Sequence, residues 1–242
     1  KGDLFFFLKG DNFNGNHFAK QALDAGAAFA IIDETPDFSD ERLIVTDDVL
    51  TTLQALAKYH REQFIPKNIP FIAITGSNGK TTTKELIHEV LSTTYKTYTT
   101  KGNFNNHIGI PLTILSVKKD AEIAVIEMGA NHRKEIEGYC KYTLPTHGLI
   151  TNCGKAHLEG FGGEEGVKKG KGELYDYLRN TNGTIFLFND YDYLISMSRG
   201  IENIKTYGTV SAEVTGIAKK GSGYLDVAIT TGADITSIHT HL

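Results

Sequence analysis

Hydrophobic and polar positions along the chain fall into short runs whose period switches between that of a strand and that of a helix. The stretch 3–8, DLFFFL, reads as a buried strand, and a Gly/Asn-rich loop, KGDNFNGN, follows at 9–16. Over 17–25 the residues Phe18, Ala22 and Ala25 recur at helical spacing, with Gly26 as the C-cap. Segments 28–32 and Leu43–Val45 predict short strands. Segment 51–64 predicts a helix with Leu53, Leu56, Ala57 and His60 on one side. Pro66 and Pro70 then interrupt any regular element, so a boundary is expected there, dividing the chain into 1–66 and 67–242.

From Phe71 onward apolar strands alternate with helical patterns, as in βαβ units on a parallel sheet. The expected strands are Phe71–Thr75, 123–128, 149–152 and Thr184–Phe188, with helices over 81–94 and 167–179. After Tyr207 two strand-like runs, 212–219 and 224–230, flank a turn-like KKGSG and predict an antiparallel extension. The predicted class is α/β. A small N-terminal α/β unit precedes a central, mostly parallel sheet of the P-loop NTPase kind with a small antiparallel extension. Both ends, KGDLFFFL and THTHL, are abrupt, so a longer protein is expected.

The most informative segment is IAITGSNGKTTT at 72–83. A strand runs into a glycine-rich turn and the turn into a helix, whose apolar face is predicted at Leu86, Ile87, Val90 and Leu91. Gly76 and Gly79 let backbone N–H groups of Ser77 and Asn78 approach a phosphate, and the helix start at Thr81 and Thr82 adds aligned N–H groups. Lys80 is placed to reach the outer phosphates of ATP, and the Thr81 hydroxyl to bind Mg²⁺. The usual loop would carry a glycine at position 74; Ile74 stands there, which makes this the shorter TG-x-x-GKT variant.

Phosphoryl transfer needs hard oxygen ligands for a divalent cation, and in parallel sheets these sit at strand C-termini. Glu127 ends the strand AEIAVIE, as a Mg²⁺ ligand or as a strand-end cap facing water. His157 follows GLITN past a third strand on the same sheet edge, and His107 sits in a polar loop. In VKKGKGELYDYL, Val167, Lys171, Leu174 and Leu178 share one helix side, so Lys171 turns inward while Lys168 and Lys169 point elsewhere. Burial lowers a lysine pKa, which suits either a phosphate clamp or an amine that takes up CO₂ as a metal-bridging carbamate. The amide-dense loop KGNFNNHIGIP offers Asn103, Asn105 and Asn106 as turn caps or as phosphate or substrate contacts.

Composition narrows the classes. Apolar residues make up 40% and charged residues 22% of 242 positions, which excludes a disordered or fibrous chain. A net charge of −4 leaves no basic excess for nucleic acid. The longest apolar runs, 4–8 and 123–126, fall far short of the ~20 residues of a membrane span. Cys140 and Cys153 fit a reducing compartment, so a cytoplasmic location is expected.

Taken together, TGSNGKTTT, GNFNNHIGIPLT, EMGANHRKEI, ITNCGKAHLEGFGG and KGELY resemble the Mur ligases of peptidoglycan synthesis. Within that family they are similar to the type that adds D-alanyl-D-alanine to UDP-N-acetylmuramoyl-tripeptide. The likeness is strong from Asp3 to about Asp190, and KGDLFFFLKGDNFNGNHF is similar to the family's UDP-binding domain. The resemblance implies an ATP-dependent amide ligase working through an acyl phosphate, monomeric, with Lys80 on the outer phosphates and Thr81 and Glu127 on Mg²⁺. It further implies a second metal on His157, a carbamylated lysine at Lys171, Asn106 near the phosphoryl group and Asn131 near the substrate.

The sequence departs from the family at Gly163, where a serine is usual. The family's serine–arginine pair, its third domain and its adenine-contacting segment are expected outside the chain, so residues 1–242 alone are expected to catalyse little. Competing readings are a Mur-type ligase with another acceptor (a third-residue or folylpolyglutamate synthase-like enzyme) and a non-catalytic P-loop module that only holds nucleotide.

Overall fold

The computed structural model describes residues 2–220 and 224–240. A three-stranded parallel sheet opens the chain, with β1 (Leu4–Phe6) beside β4 (Phe29–Ile32) and β4 beside β5 (Leu43–Val45). A small hairpin, β2 (Lys9–Gly10) with β3 (Phe13–Asn14), and helix α1 (Ala19–Asp24) lie between the first two of these strands. Helix α2 (Val49–Glu62) follows, its start capped by the Asp48 side chain, which accepts from Thr51 N–H.

Three N-terminal expectations need correction. The DLFFFL strand is not buried: Leu4 and Phe5 are 42% and 44% exposed, because β1 is the edge of a thin sheet. The helix begins two residues later than expected, after a 3₁₀ turn at Gly15–Phe18. Its inward side is Ala19 and Leu23, with Ala22 partly covered, whereas Phe18 stacks outside on Phe13.

The central sheet has nine strands in the order β14-β13-β12-β11-β10-β9-β6-β8-β7. It is built from β6 (Phe71–Thr75), α3 (Lys80–Ser92), β7 (Thr97–Thr99), α4 (Gly109–Ser116) and β8 (Ile123–Glu127). Next come α5 (Glu135–Thr143), β9 (His147–Ile150), α6 (Leu158–Phe161), α7 (Glu164–Asn180), β10 (Thr184–Phe188), α8 (Asp192–Met197) and β11 (Asn203–Gly208). The pairings from β7 through β11 are all parallel, as is β11 with the start of β12 (Val214–Lys220). Antiparallel pairing starts where β12 meets β13 (Leu225–Thr231) and continues to β14 (Ser237–His239). The extension is therefore present, while Gly221, Ser222 and Gly223 of the KKGSG turn lie outside the described residues.

Strand residues alternate faces, and both faces of β6 are covered. Phe71 and Ala73 join the larger apolar core with Ala124, Ile126, Ile114 and Leu174, whereas Ile72 and Ile74 pack with Val125, Leu149, Ile87 and Leu91. Ala57 of α2 and Phe64 just beyond it join that larger core, and buried Arg61 donates to the Thr143 and Leu144 carbonyls at the end of α5 while lying 3.9 Å from the Phe71 ring centre.

The α3 face also needs correction. Leu86 and Val90 are 39% and 68% exposed, and the covered side is Lys84, Ile87 and Leu91. Lys84 is fully buried and donates to the Thr100 carbonyl at 2.6 Å, tying α3 to the end of β7. Helices α4 and α5 were not read from the sequence, although Ile136, Tyr139, Cys140 and Thr143 carry the helical spacing and are all buried.

Close packing explains two of the three glycines of α7, Gly166 and Gly170. A Cβ at Gly170 would lie 2.4 Å from the Phe161 ring, and one at Gly166 would lie 1.8 Å from the Phe161 carbonyl oxygen. Backbone cannot yield as a ring can, so Gly166→Ala is expected to cost about 1–3 kcal/mol. A urea midpoint unchanged by that substitution would contradict the packing.

Candidate nucleotide and metal site

Strand β6 ends between β8 and β9, where the chain order reverses, and the crevice at such a point is where parallel sheets hold ligands. The loop from Gly76 leads into α3 with Gly79 in the left-handed region at φ +77°, a conformation that favours glycine. Gly76 has a different requirement from the one expected. Its φ is +147°, and a Cβ there would lie 2.0 Å from Thr151 Oγ1, so the end of β9 as well as any phosphate demands glycine. Asn152 holds this loop: its carbonyl accepts from Ser77 N–H at 2.9 Å and its side-chain oxygen from Asn78 N–H at 3.1 Å. The Thr151 hydroxyl donates to the Asn78 carbonyl at 2.6 Å.

A cleft of about 310 Å³ opens beside the loop. Gly76, Ser77, Lys80, Asn106, Asn131, His157 and Lys171 all line it, so residues spread over nearly a hundred positions meet there. Lys80 donates to the carbonyls of Gly76 and Ser77 at 2.9 and 3.3 Å, folded back over its own loop. Burial pulls its pKa down, opposed by the charge of Glu127. Asn78 and Gly79 of the loop and Thr81 and Thr82 on the first turn of α3 are exposed and do not line this cleft.

Lys171 is 2% exposed on the inward side of α7, with Val167, Leu174 and Leu178 also buried. Its ammonium donates to the Ala130 carbonyl at 2.9 Å and lies 5.0 Å from the Phe161 ring centre. Burial first, and the positive charge of Lys80 second, bring its pKa from 10.5 down to about 8. Two cations directed at one small cleft favour an anion there. His157 reaches the cleft from a left-handed backbone position, φ +54°, at the start of α6.

Glu127 closes β8 and is 1% exposed. Its Oε1 accepts from Thr81 Oγ1 at 3.2 Å and from Asn105 Nδ2 at 2.7 Å. Its Oε2 is buried and has no hydrogen-bond partner among the described residues. An anionic oxygen left so is costly unless a cation meets it, and the Thr81 hydroxyl alongside completes a hard donor pair. The residues therefore fit a divalent cation. No group of three or more His, Cys, Asp or Glu side chains converges among the described residues; Mg²⁺ takes one or two carboxylates and completes its shell with water and phosphate.

In the amide-dense loop the capping alternative is seen directly. Asn106 caps the start of α4, its Oδ1 accepting from Ile108 and Gly109 N–H at 3.1 and 2.8 Å, and it also borders the cleft. Asn105 and His107 line the same cleft, as do Glu135 and Tyr139 from α5, which the sequence reading missed along with that helix. Gly163 has φ +101°, so a serine there would be strained even though a Cβ would meet open space. A larger cleft of about 600 Å³ lies between α5, α7 and α8, away from the phosphate loop, with Lys134–Glu137 and Lys168–Glu165 pairs on its walls.

Comparison with known proteins identifies the surroundings of this site. Residues 74–241 match the Mur ligase middle domain. The chain is 40% identical over 208 residues to the UDP-N-acetylmuramoyl-tripeptide–D-alanyl-D-alanine ligase of Bacillus subtilis, covering 85% of this chain and 44% of that protein. It is also 40% identical over 193 residues to the Escherichia coli enzyme of the same name, covering 80% of this chain and 42% of that one. The chain thus spans less than half the length of these relatives. The crystal structure of MurF from Acinetobacter baumannii superposes with a TM-score of 0.87 at 31% identity, over 99% of this chain and 52% of that one. MurF ligase from Thermotoga maritima in complex with ADP superposes with a TM-score of 0.86 at 28% identity, over 99% and 55%. A folylpolyglutamate synthase of Mycobacterium tuberculosis, at 11% identity and a TM-score of 0.55, covers 78% of this chain and 52% of its own and shares the fold alone.

Proposed function

Since the chain belongs to the Mur ligase family, we propose that it is the nucleotide-binding part of an ATP-dependent ligase that joins D-alanyl-D-alanine to UDP-N-acetylmuramoyl-tripeptide. The observation that carries this reading is the meeting of Lys80, Lys171 and His157 in one cleft, linked through Asn105 to Glu127 with its unpartnered oxygen and its Thr81 neighbour. Residues 1–66 would hold the UDP end of the substrate and residues 67–242 the ATP, with a further domain bringing the incoming amine.

In this reading the terminal carboxylate of the tripeptide attacks the γ-phosphorus of ATP, the bond to ADP breaks, and an acyl phosphate forms. The free amine of D-alanyl-D-alanine adds to the acyl carbon, loses a proton, and expels phosphate as the amide closes. Lys80 would leave the Gly76 and Ser77 carbonyls to neutralise the outer phosphate oxygens. Mg²⁺ would be held by Thr81 and by Glu127 Oε2, a second ion by His157 and a carbamate on Lys171, and such ions supply charge neutralisation on the phosphates. Lys171 has the chemistry for carbamate formation. Its buried amine, with a pKa brought down to about 8, keeps a far larger neutral fraction near physiological pH than an ordinary lysine; that neutral amine would bond CO₂ through nitrogen and release one proton.

Phosphate release by the full-length protein, given ATP, Mg²⁺ and UDP-N-acetylmuramoyl-tripeptide, tests the acceptor. D-alanyl-D-alanine is expected to stimulate release, and diaminopimelate or glutamate to leave it at background. Stimulation by either of those instead would assign the chain to another ligase of the family, and nucleotide binding with no release under any condition would make it a holding module.

A further inference from the structure

We propose that Asn105 is a positioning residue that aims Glu127 at the divalent cation, an inference that rests on the metal reading above. Its side-chain amide donates to Glu127 Oε1 at 2.7 Å, the shorter of the two hydrogen bonds that oxygen accepts. With Oε1 engaged, the buried and unpartnered Oε2 is the atom left for a cation. An amide nitrogen suits this task because it donates without carrying charge, so it fixes the carboxylate without competing with the metal as a cation would.

The placement of Asn105 is itself built. Its backbone carbonyl accepts from Gly129 N–H at 2.8 Å, and its own N–H donates to the Asn103 carbonyl at 2.7 Å. Position 129 must be glycine for the amide to lie where it does, since a Cβ there would stand 2.7, 2.9 and 3.0 Å from Asn105 Oδ1, Cγ and Nδ2. Glu127 is held from its other end as well, its N–H donating to Thr100 Oγ1 at 3.0 Å. Asn106, the neighbour that the family resemblance singled out, has its side-chain oxygen engaged at the start of α4 and makes a different contribution.

Mn²⁺ titrated into the full-length protein with a non-hydrolysable ATP analogue, followed by electron paramagnetic resonance of the free ion, reads the site without turnover. Asn105→Ala is expected to weaken Mn²⁺ binding by about 10–100-fold. Circular dichroism of each variant reports folding, and Asn105→Ser takes the place of the alanine variant if that one does not fold. Glu127→Ala is the reference. If it loses Mn²⁺ and a folded Asn105 variant binds within about twofold of the unmodified protein, the inference is overturned while the metal reading stands. If Glu127→Ala itself keeps Mn²⁺, the metal reading fails and the inference with it.

Discussion

Lys80→Ala is expected to lower amide formation by roughly 10²–10³-fold, the scale seen when a preorganised charge-stabilising donor is removed from a phosphoryl- or acyl-transfer site. The reason lies in the placement of its ammonium. It is partly desolvated, rests on the carbonyls of Gly76 and Ser77, and lines the cleft shared with Lys171 and His157. An ammonium in such surroundings is worth far more to a developing phosphoryl charge than one in water, because less solvent screens it. Alanine removes the charge and leaves the loop intact, since Asn152 and Thr151 hold the backbone of Ser77 and Asn78 independently. Steady-state kinetics should therefore show the loss in kcat/KM for ATP with the melting temperature little changed. A variant within about tenfold of the unmodified protein would remove Lys80 from the chemistry.

Lys171→Ala is expected to reduce turnover by at least about 100-fold, and small carboxylic acids such as formate or acetate should restore part of it. The vacated space lies at the Ala130 carbonyl beside the cleft, where an added carboxylate would supply the two oxygens that a carbamate carries. A plain phosphate clamp predicts the opposite pattern: amines would rescue and acids would not. The pH dependence follows from the same group. CO₂ reacts with the neutral amine, and the folded protein's Lys171 titrates near 8 instead of 10.5, so the neutral fraction is lost as pH falls through about 8. Protein freed of CO₂ and then resupplied should regain activity faster at about pH 8.5 than at about pH 6.5. Reactivation that ran faster at the lower pH, or indifference to both CO₂ and the substitution, would end the carbamate proposal.

The two lysines differ in how they can be read. Lys80 follows from eight consecutive residues, because strand end, glycine turn and helix start are local demands of the backbone and sit side by side in the chain. Lys171 was legible through helical periodicity: Val167, Leu174 and Leu178 mark an inward side, and the lysine falls on it. Periodicity failed for α3, where four apolar residues announced a face of which two, Leu86 and Val90, remain exposed. Lys84 occupies the interior there, because its amine can reach the Thr100 carbonyl, and that partner lies 16 positions away across β7. Hydropathy alone gives a buried lysine no credit for a partner that only the fold supplies.

By itself, then, the chain's sequence determined the strand–loop–helix around Lys80, the parallel βαβ order, the antiparallel run at the end and the inward lysine of α7, each specified by neighbouring residues or by a regular period. Tertiary structure alone decided which asparagine of three meets Glu127, why Gly76 and Gly166 must be glycine, and which side of α3 is covered. It also decided that the opening strand, apolar as it is, lies at an exposed edge. These depend on atoms brought together from distant positions, and the free energy of a hydrogen bond or a close contact is set by the partner's location in space, which no local pattern of residues encodes.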